Sequence, residues 1–158
     1  MLYQAKMYII NRFFDKTHAL TSLSLRRGEY HEIDTRILHC LFDTLVDYVE
    51  KELAWFHLIL EGKPPRFRFR WRSRESGLAH LDWESDLMDD EGQPTSQALS
   101  AREIKALYVW WTEQRPKRQD PFDVKGPIEA TLHLEKQYAT EDEAMLIRLI
   151  KIRSNLWT

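Results

Sequence analysis

The chain holds 158 residues, 43% of them hydrophobic and 30% charged, with a net charge of −2. This composition fits one globular domain over 1–158. The small net charge removes any global pull toward duplex nucleic acid or an anionic membrane, and a single cysteine, Cys40, excludes an intrachain disulfide.

Residues 1–14 mix Tyr, Met, Ile and Phe, and Tyr8–Ile10 with Phe13 and Phe14 favour a strand, with a short helix as the alternative. Neither a secretory leader nor an apolar run long enough to cross a bilayer is predicted, so a cytoplasmic protein is expected. Residues 15–29 read as a Ser/Thr-rich connection. From Tyr30 to Leu60 there is neither Gly nor Pro, and Ile33, Ile37, Leu38, Leu41, Leu45, Tyr48, Val49 and Leu53 recur at helical spacing. One long amphipathic helix is predicted there, ended by Gly62, Pro64 and Pro65. Asp34 and Glu52 interrupt its apolar face about 27 Å apart, too far for one site.

Arg66 to Arg74 alternates strictly with Phe67, Phe69, Trp71 and Ser73, which predicts a strand with five guanidinium groups on one face. Gly77 is read as a turn. Leu78 to Glu84 then forms the second arm of a small antiparallel hairpin, its acidic residues 82–91 neutralising the arginines across the pair. Gly92 and Pro94 mark a loop. Ser100 with Glu103 reads as a capping box opening a helix to about Gln114, stopped by Pro116. Trp110 and Trp111 are adjacent, so one is expected in the core and the other partly exposed. Pro127 opens a helix to about Tyr138, and Thr140 with Glu143 opens a last one. The expected class is mainly α (α+β): a helical domain on one long helix, with a β-hairpin.

Arginine grips phosphate through paired donors. The ligand surface is therefore placed on Arg66, Arg68, Arg70, Arg72 and Trp71, joined by the basic turn Arg115 and Arg118. The competing account of that row is a solvated or self-neutralised edge strand. His31 and Asp34, three apart on one helical face, form the alternative: a metal site of a hydrolase. Its bland counterpart is a first-turn carboxylate on the helix dipole. His80, Asp82 and a distant His133 have the residue types of a non-haem iron triad, but the chain has too few strands for the sheet that houses one. Phosphate-binding glycine loops and nucleophile elbows are missing from the sequence, so neither cofactor nor enzyme chemistry is implied.

Tyr30–Thr35, Gly77-Leu78 with Leu81–Glu84, and Glu141-Asp142 through Arg153 to Leu156-Trp157-Thr158 resemble small uncharacterised proteins of tailed bacteriophages. The resemblance spans most of the chain and brings no catalytic motif. It implies a place in the host cytoplasm or a virion, and a binding role toward a host enzyme, a defence-signalling nucleotide or further copies of the chain. The expected function is a non-enzymatic, homo-oligomeric binding protein that captures a small anionic ligand such as a nucleotide signal. A metal-dependent hydrolase or a structural or host-protein-binding phage protein is the alternative.

Overall fold

The structure is a computed structural model that describes residues 22–26, 29–63, 72–123 and 127–156. The strand expected near the N-terminus and most of the arginine row, Arg66, Arg68, Arg70 and Trp71, lie outside the described residues. The chain divides into two compact units between Thr44 and Leu45.

In the first unit, helix α1 (Ile33–Asp47) begins with Asp34 in its first turn, where a carboxylate suits the positive end of the helix dipole. The helix therefore starts three residues later than Tyr30. Leu38 and Phe42 are buried, whereas Ile33, Ile37 and Leu41 stay exposed. Asp43 gathers the segment before the helix. Its Oδ2 accepts the Ser22 hydroxyl at 2.7 Å and the Leu23 and Ser24 amides at 2.7 and 3.0 Å. Burial pushes the Asp43 carboxyl up, but these hydrogen bonds together outweigh it and hold the group below the ordinary aspartate value of 3.8. Folded Asp43 thus binds a proton less readily than unfolded Asp43. Its stabilising contribution is complete above the ordinary value and is lost as pH falls through the depressed one. The Leu23 and Ser24 amide resonances should accordingly titrate together, with a midpoint below 3.8; a midpoint at or above it would count against this cap.

The second unit continues from Leu45 through a π-helical stretch, Tyr48–Leu53, into α2 (Ala54–Leu60). Gly62 ends α2 at φ +70°. The Gly62 amide reaches Ile59 O at 2.9 Å and the Lys63 amide reaches Leu58 O at 2.8 Å, the paired bonds of a Schellman motif. Helix α3 (Arg74–Ser85) follows, capped by Ser73 Oγ on the Ser76 amide. Helix α4 (Ser96–Val109) is capped by Thr95 Oγ1 on the Ala98 amide and leads into a second π-helical stretch, Trp110–Gln114, and 3₁₀ turns at Arg115–Lys117 and Pro121–Asp123. The long helix α5 (Ile128–Ile152) and a 3₁₀ turn, Arg153–Asn155, close the unit. Helix α3 packs against α2, the first π stretch and α4, and α5 lies on α4. Leu45, Val49, Leu53, Ala54, Leu81, Ile104, Leu107 and Tyr108 form the core, none more than 2% exposed.

The class is helical, but the β-hairpin is not there. Gly77 to Glu84, read as a turn and an arm, lie inside α3, and among the described residues the only pairing is an isolated antiparallel bridge of Met88 with Pro94. Gly77, His80 and Leu81 are buried at helical spacing, so packing of that face makes a helix where a turn and a strand were expected. Gly77 is needed there for closeness: a Cβ built on it would lie 2.9 Å from Val49 C and nearer still to Val49 O. The capping boxes also resolve differently. Ser100 is inside α4, its hydroxyl donating to Ser96 O, and Thr140 donates to Lys136 O one turn back. That i−4 bond lets a threonine sit within a helix. With neither Gly nor Pro from Ile128 to Ile152, the two predicted C-terminal helices are one.

Candidate ligand-binding groove

Of the arginines proposed from the sequence, Arg72, Arg115 and Arg118 lie among the described residues, and Arg72 has partners different from those of Arg115 and Arg118. Arg72 pairs Nη2 with Asp47 Oδ1 at 3.0 Å and donates Nε to Glu50 Oε2. The other Glu50 oxygen accepts the buried Tyr108 hydroxyl at 2.6 Å. Burial first, and the Glu50 carboxylate second, push that phenol well above its usual range. Lys51 joins Asp47 at 2.5 Å, and Arg74 pairs with Glu113 while its guanidinium lies 5.7 Å from the Tyr108 ring centre. Arg72 is therefore neutralised by Asp47 at the end of α1 and by Glu50 in the first π stretch, and Arg74 by Glu113. Residues 82–91 do other work. Asp82 pairs with Lys105, Glu84 accepts Gln97 at 2.8 Å, and Asp89 accepts the Glu91 and Gln93 amides of its own turn.

Arg115 and Arg118 form a separate cluster. Arg115 makes a forked pair with Asp142 at 3.2 and 3.0 Å and lies 4.7 Å over the Trp111 ring. Arg118 donates Nη1 to Asp142 Oδ1 at 2.7 Å. Its Nη2 sits 2.9 Å from Glu141 Oε2, close enough for charge pairing though not aligned as a hydrogen bond. The same guanidinium covers Trp110 and Tyr138 at 5.4 and 4.7 Å. Only 14% of its side chain is exposed. Both tryptophans are buried, against the expectation that one would be partly exposed. Their rings stand 6.0 Å apart at 41°, each beneath a different arginine. The cluster reads as a clamp between α5 and the end of α4, not a landing place for an anion.

His31 and Asp34 are not joined either. Asp34 Oδ1 accepts the Thr35 amide at 2.7 Å, and His31 Nε2 faces Arg26 O at 3.4 Å. Among the described residues, no group of three or more His, Cys, Asp or Glu is arranged to hold a metal. His80 is buried and lies in α3 with Asp82, whereas His133 lies in α5 on an exposed position.

A different place is concave. An open groove of about 530 Å³ runs between α3, α4 and α5. Its floor is Ala106, Val109, Trp110 and Met145; its polar rim includes Asp82, Arg102, Lys105 and Arg148. Three cations thus face one lining carboxylate. Arg148 is held by Glu103 through a forked pair at 2.7 and 2.9 Å. That hydrogen bond is the main reason the Glu103 carboxyl is held below its usual range and the Arg148 guanidinium is raised above its own. Lys105 is paired with Asp82. Arg102 is different, because among the described residues its Nε and Nη2 reach only a carbonyl, Ser85 O, at 3.2 and 2.8 Å. Those bonds satisfy the last turn of α3 and give the charge of Arg102 no carboxylate among the described residues. The groove's hydroxyl, Ser85 Oγ, donates to Leu81 O at 2.6 Å and is not poised as a nucleophile.

The sequence held a partial signal for this groove. Arg102, Lys105, Ala106 and Val109 fall at i, i+3, i+4 and i+7, one face of α4. The face opposite, with Ile104, Leu107, Tyr108 and Trp111, drew attention instead. The remaining wall, Met145 and Arg148, comes from a helix about forty residues further on, and no local pattern links the two.

No family model, curated protein or solved structure matches the chain.

Proposed function

We propose that this protein binds, without transforming it, a small anionic ligand that also carries an apolar part, and that it does so in the α3–α4–α5 groove. The observation that carries the proposal is Arg102: a cation that, among the described residues, bonds only to a neutral carbonyl, at the rim of a groove floored by Trp110, Val109 and Met145. A phosphate or carboxylate would find Arg102 and Lys105 three residues apart on one helical face, while its apolar portion covers the floor. A nucleotide has both parts. Arg66, Arg68 and Arg70 stay in the proposal only as a second cationic surface, on the strength of their sequence alternation.

Calorimetry with linear and cyclic nucleotides and aromatic carboxylates tests this. At least one ligand is expected to bind, and Arg102→Ala with Lys105→Ala is expected to weaken it by tenfold or more, on the order of 1.4 kcal/mol. Arg68→Ala with Arg70→Ala is the comparison. If that pair abolishes binding and the α4 pair does not, the ligand sits on the arginine row. If nothing binds, the ligand reading fails.

Among the described residues no helix is long and apolar enough to cross a membrane. The tailed-phage origin, the cytoplasmic setting and self-association belong to the same proposal. The last is favoured by Ile128, Leu132, Ile147 and Ile150, all exposed on α5; a monomeric mass in light scattering would remove it.

A further inference from the structure

Away from the groove, two histidines share an unusual arrangement. His57 on α2 and His80 on α3 lie with ring centres 6.2 Å apart and planes at 85°. Each has a glutamate one turn further on: His57 Nε2 is 3.7 Å from Glu61 Oε1, and His80 Nε2 is 3.5 Å from Glu84 Oε1. Glu84 is itself steadied by Gln97. Both Nδ1 atoms are buried and have no hydrogen-bond partner among the described residues. The His80 side chain is only 7% exposed, the His57 side chain 21%. Phe56 and Trp83 flank His80, their ring centres 6.4 and 5.4 Å away.

A buried polar nitrogen without a partner is costly, so two together call for an explanation. Each Nε2 faces its carboxylate at the length of a charge contact, 3.7 Å for His57 and 3.5 Å for His80. In the tautomer that carries the proton on Nε2, Nδ1 keeps a bare lone pair. Metal-ligating histidines are oriented in this way, with the non-ligating nitrogen donating to a carboxylate. Two bonds of about 2 Å from imidazole nitrogen to metal can be accommodated between rings at this separation.

We propose that His57 and His80 form a two-histidine metal site, ligating through Nδ1, for a monovalent soft ion: Cu(I). The number of ligands selects the ion. With no third His, Cys, Asp or Glu grouped with them among the described residues, zinc lacks the four ligands it normally takes. Cu(I), a closed-shell ion, is stable with two collinear nitrogens. Its single charge also costs far less to bury than a double one, because Born solvation scales with the square of the charge. No redox step is involved, since the ion enters and stays as Cu(I).

The test titrates the full-length protein, under anaerobic reducing conditions, against a chromogenic Cu(I) chelator. One equivalent of Cu(I) is expected to be withdrawn from the chelator, with the X-ray absorption edge of a two-coordinate nitrogen site. His57→Gln and His80→Gln should each abolish the withdrawal, and Glu84→Gln should weaken it by about tenfold. His133→Gln, an exposed control, should change nothing. Circular dichroism checks that each variant is folded, and Glu84→Gln carries the test if His80→Gln is not. The proposal is overturned if the wild-type protein does not compete with the chelator, if either folded ligand variant retains the ion, or if the edge is that of a four-coordinate site.

Discussion

Gly77→Ala is expected to destabilise the second unit by about 3 kcal/mol, at the upper end of overpacking costs. Helix propensity alone argues the other way. Alanine in a helix interior is better than glycine by about 1 kcal/mol, and Gly77 lies inside α3. Contact decides the sign. The added Cβ would meet the backbone of Val49, at 2.9 Å from its carbonyl carbon, and Val49 Cγ1 at 3.0 Å. Backbone cannot rotate aside as a side chain can. Val49 is fully buried within the π-helical stretch Tyr48–Leu53, and the next carbonyl, Glu50 O, accepts the Ser73 amide at 2.9 Å just ahead of α3. A shift at Gly77 therefore strains that bond as well, and the Glu50 contacts to Arg72 and Tyr108 with it. Urea denaturation of the two proteins is the measurement. A variant as stable as the parent, or more so, would mean that α3 does not approach the π stretch this closely.

Trp110→Ala is expected to cost about 3–5 kcal/mol, the range for truncating a large buried aromatic. The ring is 2% exposed, and three things depend on it. Its Nε1 donates to Glu141 Oε1 at 2.7 Å, its face lies 5.4 Å from the Arg118 guanidinium, and it forms part of the groove floor. Trp110→Phe separates these. It keeps an aromatic face for Arg118 and loses the indole N–H. The Glu141 side chain is 40% exposed, so water can replace that donor, and the Phe variant should lose only about 1–2 kcal/mol. Thermal unfolding of both variants reports the difference. Should Phe prove as damaging as Ala, the hydrogen bond to Glu141, and not the buried ring, would be the main anchor of α5.

What could be read from the residues was what local rules govern. The long helix, its end at Gly62, the loop at Gly92 and the helix stop after Gln114 follow from hydrophobic period and chain breakers. The dipole role of Asp34 follows equally from its place in the first turn. Helix α3 escaped because its buried face is Gly77, His80 and Leu81. Glycine adds no hydrophobicity and histidine counts as polar, so the helical period was nearly silent, while the alternation before it suggested a strand. The face of α1 was also misjudged: Phe42 is buried where Ile37 and Leu41 are not.

The site depended on distance in the chain. An arginine row says that cations are present but not which carboxylates meet them. Asp47 and Glu50 took Arg72, and Asp142 took Arg115 and Arg118, across 24 to 27 residues in the second case. Among the described residues Arg102 meets no carboxylate, because α3 ends where its guanidinium reaches a carbonyl, a fact of packing that has no counterpart in residue spacing. The sequence by itself determined a helical chain with a near-neutral charge and an excess of aromatics. Only the tertiary structure decided which charges cancel, because ion pairing depends on separation in space and falls away within a few ångströms of exposed surface.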